Sequence, residues 1–274
     1  MDSIARHNKD CWEGLSEAGI DYSKPILDLT EDSAWSLINR DRISLEVCGK
    51  DVLCLAASGG QQSAAFGVLG ANVTVFDICE SMLRKDVETA EHYGFRIRVE
   101  QGDMRDLGVF EDESFDIVWL AYAINFVPDA APVIGEASRV LRPKGHFKMS
   151  FSNPYFMGVY EKYNRAYQEG RLRWKGYAVT EPYTEGAEIK VPEPFIEVWP
   201  SDDEEVKVRV PKTFRHTFGT MLNLLVQNNI RLLGLWEHHT DYYFDELDPD
   251  PDPGSWDHFD NLIPGYISIW AKKE

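Results

Sequence analysis

The sequence predicts an α/β fold on a mostly parallel sheet, and three features carry that expectation. Asp51-Val-Leu-Cys-Leu-Ala-Ala-Ser-Gly-Gly-Gln-Gln-Ser63, followed by Val73-Thr-Val-Phe-Asp77, reads as strand, small-residue turn, helix-compatible stretch and strand. Short apolar runs then alternate with helical segments as far as residue 152. Two late apolar segments, 230–237 and 265–272, read as a closing antiparallel pair. Strands alternating with helical patterns make βαβ units and hence a parallel sheet.

The first unit points to a ligand. A βαβ unit with small residues in its first turn lets backbone approach a ligand, and an acid ending its second strand offers a carboxylate to a ribose. Such a unit places a nucleoside-containing cofactor at a definite point of the chain. A dinucleotide turn needs the spacing G-x-G-x-x-G to seat a pyrophosphate on a helix N-terminus. Ala56-Ala-Ser-Gly-Gly-Gln61 has no such triplet, although the distance from turn to acid, 77 − 60 = 17 residues, fits either cofactor class.

Residues 1–49 precede the first core strand, with helices expected at 8–17 and 34–40. After Asp77, the apolar residues Met82, Leu83, Val87 and Ala90 recur near helical period. Ile97-Arg-Val-Glu100 is the third strand, followed by Gln101-Gly-Asp-Met-Arg-Asp-Leu107. Residues 114–129 read as the fourth strand and its loop. Glu136-Ala-Ser-Arg-Val-Leu-Arg-Pro-Lys-Gly145 is a helix and turn leading to a fifth strand, His146-Phe-Lys-Met-Ser-Phe151.

These motifs, in this order, resemble the class I S-adenosylmethionine-dependent methyltransferases, closest to the small-molecule enzymes of the type 11-like group. The resemblance covers residues 50–152 strongly and the last strands more loosely. It implies a Rossmann-like seven-stranded sheet, mostly parallel with an antiparallel final strand, and S-adenosylmethionine as cofactor. It further implies that Ala56, Ala57, Ser58, Gly59 and Gly60 give backbone to the methionine end, and that Asp77 accepts from the ribose hydroxyls. Ile78 would lie against adenine, Asp103 would accept from its amine beside Met104, and Ala121 and Tyr122 would close near the sulfonium. The chain departs from the family at Cys54, where an acid is usual, and at Ala56 and Ser58, where glycines are usual.

Residues 153–212 form an insertion after the fifth strand, containing Tyr155, Tyr160, Tyr163, Tyr167, Trp174, Tyr177, Tyr183 and Trp199. Segments 189–199 and 205–210 alternate as strands around the turn signal Pro200-Ser-Asp-Asp203, which suggests a hairpin. Carboxyl ends of strands face the ligand crevice in such sheets, so the insertion is expected beside the active site as an acceptor-side cap. A helix is expected over 214–229. The organisation expected is one domain, 1–274, with an N-terminal helical lid at 1–49 and an inserted cap at 153–212. Asp245-Glu-Leu-Asp-Pro-Asp-Pro-Asp-Pro-Gly254 has alternate aspartates, but its misplaced glycine, its prolines and the lack of a closing Glu make it a solvated acidic loop.

The net charge of −18 makes phosphate backbones and anionic membranes poor partners and favours small molecules or a basic partner. No run of about 18 apolar residues appears, and the first ten residues lack a signal-peptide core, so the expected location is the cytoplasm. Cys11, Cys48, Cys54 and Cys79 lack metal-ligand spacing and read as free, buried or partly buried thiols, with no metal site. Methyl transfer from a sulfonium depends on proximity and orientation, with a base needed only when the acceptor must lose a proton. Candidate helpers are Tyr122 and Asn125 after the fourth strand, and His216, for which a local hydrogen-bonding role is equally open. His238 and His239 should diverge on a strand and form no ligand pair. Two other classes stay open: a non-catalytic cofactor- or partner-binding module, and a nicotinamide oxidoreductase, against which the missing glycine triplet argues.

Overall fold

The sheet grows outward from one central strand. In the computed structural model, which describes residues 1–57, 59–156, 169–170, 182–190, 195–198, 206–239, 251 and 255–274, β1 (Asp51–Leu55) pairs in parallel with β2 (Asn72–Asp77) on one side and β4 (Phe115–Leu120) on the other. β3 (Ile97–Gln101) extends the β2 side, and β5 (Leu141–Ser152) extends the β4 side. β11 (Tyr266–Lys273) then runs antiparallel to both β5 and β10 (Ile230–His238). The seven-stranded order is β10-β11-β5-β4-β1-β2-β3. The chain reverses its winding between β1 and β4, and such a switch point opens a crevice at the carboxyl ends of the strands.

Alternation along the strands divides the core between two faces. Leu53, Leu55, Val118, Leu120, Phe147, Met149 and Phe151 pack with residues of α5 (Ala131–Val140) and α6 (Phe218–Gln227). Val52, Cys54, Ile117, Trp119 and Trp270 face the other way, onto Ala34 and Ile38 of α2 (Glu31–Ile38) and Ala65 and Phe66 of α3 (Gln62–Val68). Trp119 sits edge-on between the rings of Phe66 and Trp270, at 5.3 and 5.7 Å. Helix α4 (Glu80–Tyr93) ends at Gly94, whose φ of 76° is the left-handed conformation that glycine adopts without strain.

Several boundaries differ from expectation, each for a local reason. Helix α1 spans Ser3–Glu17 and starts earlier because the Asp2 carboxylate accepts from the Ala5 N–H. Helix α2 starts at Glu31 because Thr30 and Ser33 form a reciprocal capping box. Arg142-Pro-Lys-Gly145 is absorbed into β5: Leu141 already pairs with Phe115, and the register shifts before Ile117 meets His146. Helix α6 begins only at Phe218, because Thr217 caps it and the preceding Thr213–Phe214 forms β9. β9 pairs with β6 (Glu188–Ile189). The expected hairpin is present as β7 (Phe195–Val198) against β8 (Val206–Arg209), with Ile196 opposite Val208. A short α7 (Trp256–Leu262) precedes β11.

Tyr155 and Tyr183 are exposed and stack at 4.8 Å. The side chains of Tyr160, Tyr163, Tyr167, Trp174, Tyr177 and Trp199, and nearly all of the acidic segment 245–254, lie outside the described residues. All four cysteines are free; Cys48 is exposed, whereas Cys11, Cys54 and Cys79 are buried. Among the described residues, no helix is long and apolar enough to cross a membrane, and no group of three or more His, Cys, Asp or Glu side chains could hold a metal ion.

Gly102, just past β3, is pressed against Phe76: a Cβ there would overlap the phenyl ring. Gly102→Ala is expected to destabilise the fold by about 1–3 kcal/mol through overpacking. Gly219→Ala, on α6 with open space around it, is expected to be neutral or stabilising. Denaturant melts of the two variants check the contrast.

Candidate active site

A cavity of about 530 Å³ opens at the carboxyl ends of β1, β2, β4 and β5. Its walls bring together Ala56, Asp77, Ile78, Asp103, Met104, Ala121 and Tyr122, which sequence reasoning had assigned to one cofactor. Helix α1 covers it with Ile4, Ala5, Asn8 and Trp12.

The turn after β1 is built from behind. Ala56 has a φ of 50° and its N–H donates to the Phe76 carbonyl at 2.9 Å. Gly59 and Gly60 have φ values of 71° and 95°, and a Cβ on Gly60 would overlap Thr89 of α4. The Gly60 N–H donates to Asp86 Oδ1 at 2.8 Å, and the Ser63 hydroxyl donates to the same oxygen. Gly59 and Gly60 are therefore packed toward α4; neither they nor Ala57 line the cavity, whereas Gln61 and Gln62 do. Ser58 lies outside the described residues. Asp86 is fully buried, and burial pushes its carboxyl up to about 8.

Asp77 ends β2 with 7% of its surface exposed. Its Oδ1 accepts from the Cys79 N–H at 2.8 Å. Burial, with the charge of Glu13 adding, pushes its carboxyl up to about 7. Glu13 reaches over from α1 and accepts from the N–H groups of Glu80 and Ser81, at 2.7 and 3.1 Å. It thereby caps α4, whose own N-cap residue, Cys79, makes no side-chain cap.

Asp103 is half-buried and accepts from Arg105 Nε at 3.0 Å and Nη2 at 2.6 Å. Burial raises this carboxyl, but the Arg105 bonds win and hold it below the usual range. Arg105 also donates to Asp2 at 2.7 Å, tying the start of α1 to the same corner.

Of the three catalytic candidates, Tyr122 lines the cavity and Asn125 and His216 do not. Tyr122 holds a φ of 61°, a strained region for a bulky residue. Its N–H donates to Ser150 Oγ at 3.0 Å and its hydroxyl meets Ser152 Oγ at 2.7 Å. The 3₁₀ turn that follows, Ala123–Phe126, swings Asn125 away from the cavity. There its amide donates to the Phe214 carbonyl and accepts from the Ser152 N–H. His216 is 0% exposed; Nε2 bonds the carbonyls of Ile124 and Val127, and Nδ1 lies 2.6 Å from Glu185. Both residues brace the loop behind Tyr122.

A second polar group on the wall was not singled out from sequence. Lys148 and Ser150 project from β5 beside Ser268 and His238. Asp41, just beyond α2, accepts from His238 Nε2 at 2.7 Å, Ser268 Oγ at 2.6 Å and Trp270 Nε1 at 2.9 Å. His239 turns away to the Asp260 carbonyl, so the two histidines diverge as expected. The readable signal was the alternation in β5: Phe147, Met149 and Phe151 on the core face, Lys148, Ser150 and Ser152 on the other.

Residues 53–149 match the family model described as a methyltransferase domain. An S-adenosylmethionine-dependent methyltransferase from Mesorhizobium loti shares the fold with a TM-score of 0.59 at 20% identity, covering 89% of this chain and 100% of that one. Residues 53–149 thus carry a methyltransferase domain, on a fold shared with S-adenosylmethionine-dependent methyltransferases. An uncharacterized methyltransferase of Bacillus subtilis (strain 168) is 34% identical to this chain over 165 residues, 56% of this chain and 64% of that protein. A demethylmenaquinone methyltransferase of Clavibacter sepedonicus is 32% identical over 136 residues, 49% of this chain and 54% of its own length. The chain thus spans less than two thirds of either relative.

The family implies S-adenosylmethionine as methyl donor, and the donor set fits it. Asp77 is a buried carboxylate on the cavity wall, and among the described residues no cation pairs with it. Such a group suits neutral hydroxyl donors, which a carboxylate accepts two at a time. Ile78 and Met104 supply flat apolar wall between Asp77 and Asp103.

Two expectations follow for the ligand-free protein. The unfolded Asp77 carboxyl ionises near pH ~3.9, while the folded one keeps its proton until about 7. Between these values the folded state binds more protons, so stability falls as pH rises through the window. Asp77→Asn is expected to melt at least about 2 °C above the wild type at pH 7, and the gap should close toward pH ~4; thermal melts across that range check it. His216→Ala should lower stability by about 1–3 kcal/mol by leaving buried partners unsatisfied, yet leave S-adenosylhomocysteine affinity within about twofold, as read by melts and calorimetry.

Proposed function

We propose that this protein transfers a methyl group from S-adenosylmethionine to a small, largely apolar acceptor. The observation that carries the reading is that one cavity holds both Asp77 with Asp103 and an aromatic wall. In that wall Trp12 lies edge-on to Phe126 at 5.0 Å, and Tyr122 lies 4.9 Å from Tyr266. A volume of about 530 Å³ falls in the range of about 300–1,000 Å³ usual for small-molecule sites.

In this reading Asp77 accepts from the ribose hydroxyls, Ile78 and Met104 flank adenine, and Asp103, held flat by Arg105, accepts from the adenine amine. Ala56 and Gln62 meet the methionine end. When bound, the cofactor supplies an electrophilic methyl: the acceptor's electron pair forms the new bond while the S–CH₃ pair stays on sulfur, and any displaced acceptor proton leaves to solvent. Tyr122, fixed through Ser150 and Ser152, orients the acceptor, and α1 excludes water from above. Segment 1–49 acts as lid, and segment 153–212 contributes Val210 and Pro211 to the acceptor side of the wall. A planar acceptor of the kind named for the Clavibacter relative suits those rings.

Loss of the Asp77 carboxylate removes charge-assisted bonds of roughly 1.5–3 kcal/mol each. Asp77→Ala should bind S-adenosylhomocysteine at least about tenfold more weakly than the wild type by calorimetry. Equal affinity in the two proteins would remove Asp77 from the site, and a wild type that binds none would remove the function.

A further inference from the structure

Lys148 is 5% exposed, sits between Phe147 and Met149 of β5 and lines the cavity. Its Nζ lies 3.2 Å from Ser150 Oγ and 4.5 Å from the centre of the Trp119 ring. An ammonium has three donors, and a buried one is costly unless paired. Among the described residues, no carboxylate oxygen lies within 4.0 Å of it. Asp41 attracts it from farther off, but the Asp41 oxygens are already taken by His238, Ser268 and Trp270. A cation held on the cavity wall by one hydroxyl and one ring face, with no anion in contact among the described residues, has donors left for a ligand's oxyanion.

The cofactor motifs do not account for it. Asp77 and Asp103 lie at the ends of β2 and β3, while Lys148 is on β5, on the opposite side of β1 in the sheet order. It is linked instead to Tyr122, because Ser150 Oγ, its hydroxyl partner, also accepts from the Tyr122 N–H. Lys148 thus belongs to the acceptor end of the cavity. Burial brings its ammonium down to about 8, so it still carries charge at neutral pH.

We propose that Lys148 is an acceptor-binding residue that receives an acidic oxygen of the methyl acceptor, a phenol or an enol, as its anion. The inference rests on the methyl-transfer reading above. Ionised before transfer, with its proton already released to solvent, such an acceptor brings a raised electron density to the methyl, and the ammonium keeps that anion in an apolar cavity that would otherwise reject it. The aromatic wall supplies the flat surface for the ring or enol plane.

The test uses the whole protein saturated with S-adenosylhomocysteine and two probes of matched shape, 4-nitrophenol and nitrobenzene. Calorimetry and the visible absorbance of the phenolate, at neutral pH, are expected to show 4-nitrophenolate bound at least about tenfold more tightly than nitrobenzene. Lys148→Met is expected to erase that preference while keeping its melting temperature and S-adenosylhomocysteine affinity. Lys148→Gln serves as the second variant should the first not fold. The proposal is overturned by a wild type without the preference, by a variant that keeps it, or by a variant that loses S-adenosylhomocysteine affinity, which would assign the cation to the cofactor's carboxylate. A wild type unable to bind S-adenosylhomocysteine would instead overturn the methyl-transfer reading itself.

Discussion

The close approach of α4 to the turn after β1 is the constraint on which the rest of the site depends. Gly60 leaves no room for a side chain against Thr89, and Asp86 binds the turn through the Gly60 N–H and the Ser63 hydroxyl. The same helix holds the N-terminal segment. Lys85 donates to the carbonyls of Ser16 and Ser23, Tyr93 bonds both Ile26 and Leu29, and His92 meets the Leu27 carbonyl. One helix therefore holds both the turn after β1 and the N-terminal segment that brings Tyr22 to the cavity wall. Contacts made by several residues of one rigid element act together, so the turn, the end of β2 and the N-terminal segment share a single geometry.

The buried charges around this helix show where the fold accepts unfavourable electrostatics. Asp77 and Asp86 both hold protons well above the usual carboxylate range, through burial first, with the charge of Glu13 adding at Asp77 and that of Asp77 adding at Asp86. Lys148 is displaced in the opposite sense by the same desolvation. Asp86 repays its burial with two hydrogen bonds to the turn. Asp77 is held by backbone amides alone and Lys148 by a single hydroxyl, and both face the cavity, which is the arrangement expected where ligand groups complete the pairing.

Much of this architecture was legible in the sequence, because strand and helix periods are local. The run Asp51–Leu55, the acid at Asp77, the Gly102-Asp103 pair and the closing antiparallel strands all sit where the pattern placed them. What the pattern could not show were partnerships between distant residues. Glu13 capping α4, Asp86 clamping the turn and Asp41 gathering His238, Ser268 and Trp270 join positions as far as 229 residues apart. Asn125 and His216 have the chemistry of site residues, but a single 3₁₀ turn after the strained Tyr122 sends the first behind the wall, and the second follows it there. Gln61 and Gln62 were passed over because glycine commanded attention in the turn, whereas the glycines serve α4 and the glutamines face the cavity.

The borrowed cap on α4 has an electrical consequence. Glu13 belongs to α1 yet neutralises the positive end of a helix that begins three residues after Asp77. A displacement of α1 from the cavity mouth would leave the Glu80 and Ser81 amides bare and withdraw a negative charge from the neighbourhood of Asp77 at the same time. Both changes favour ionisation of Asp77. Such a displacement of α1 and the charging of Asp77 would therefore be coupled.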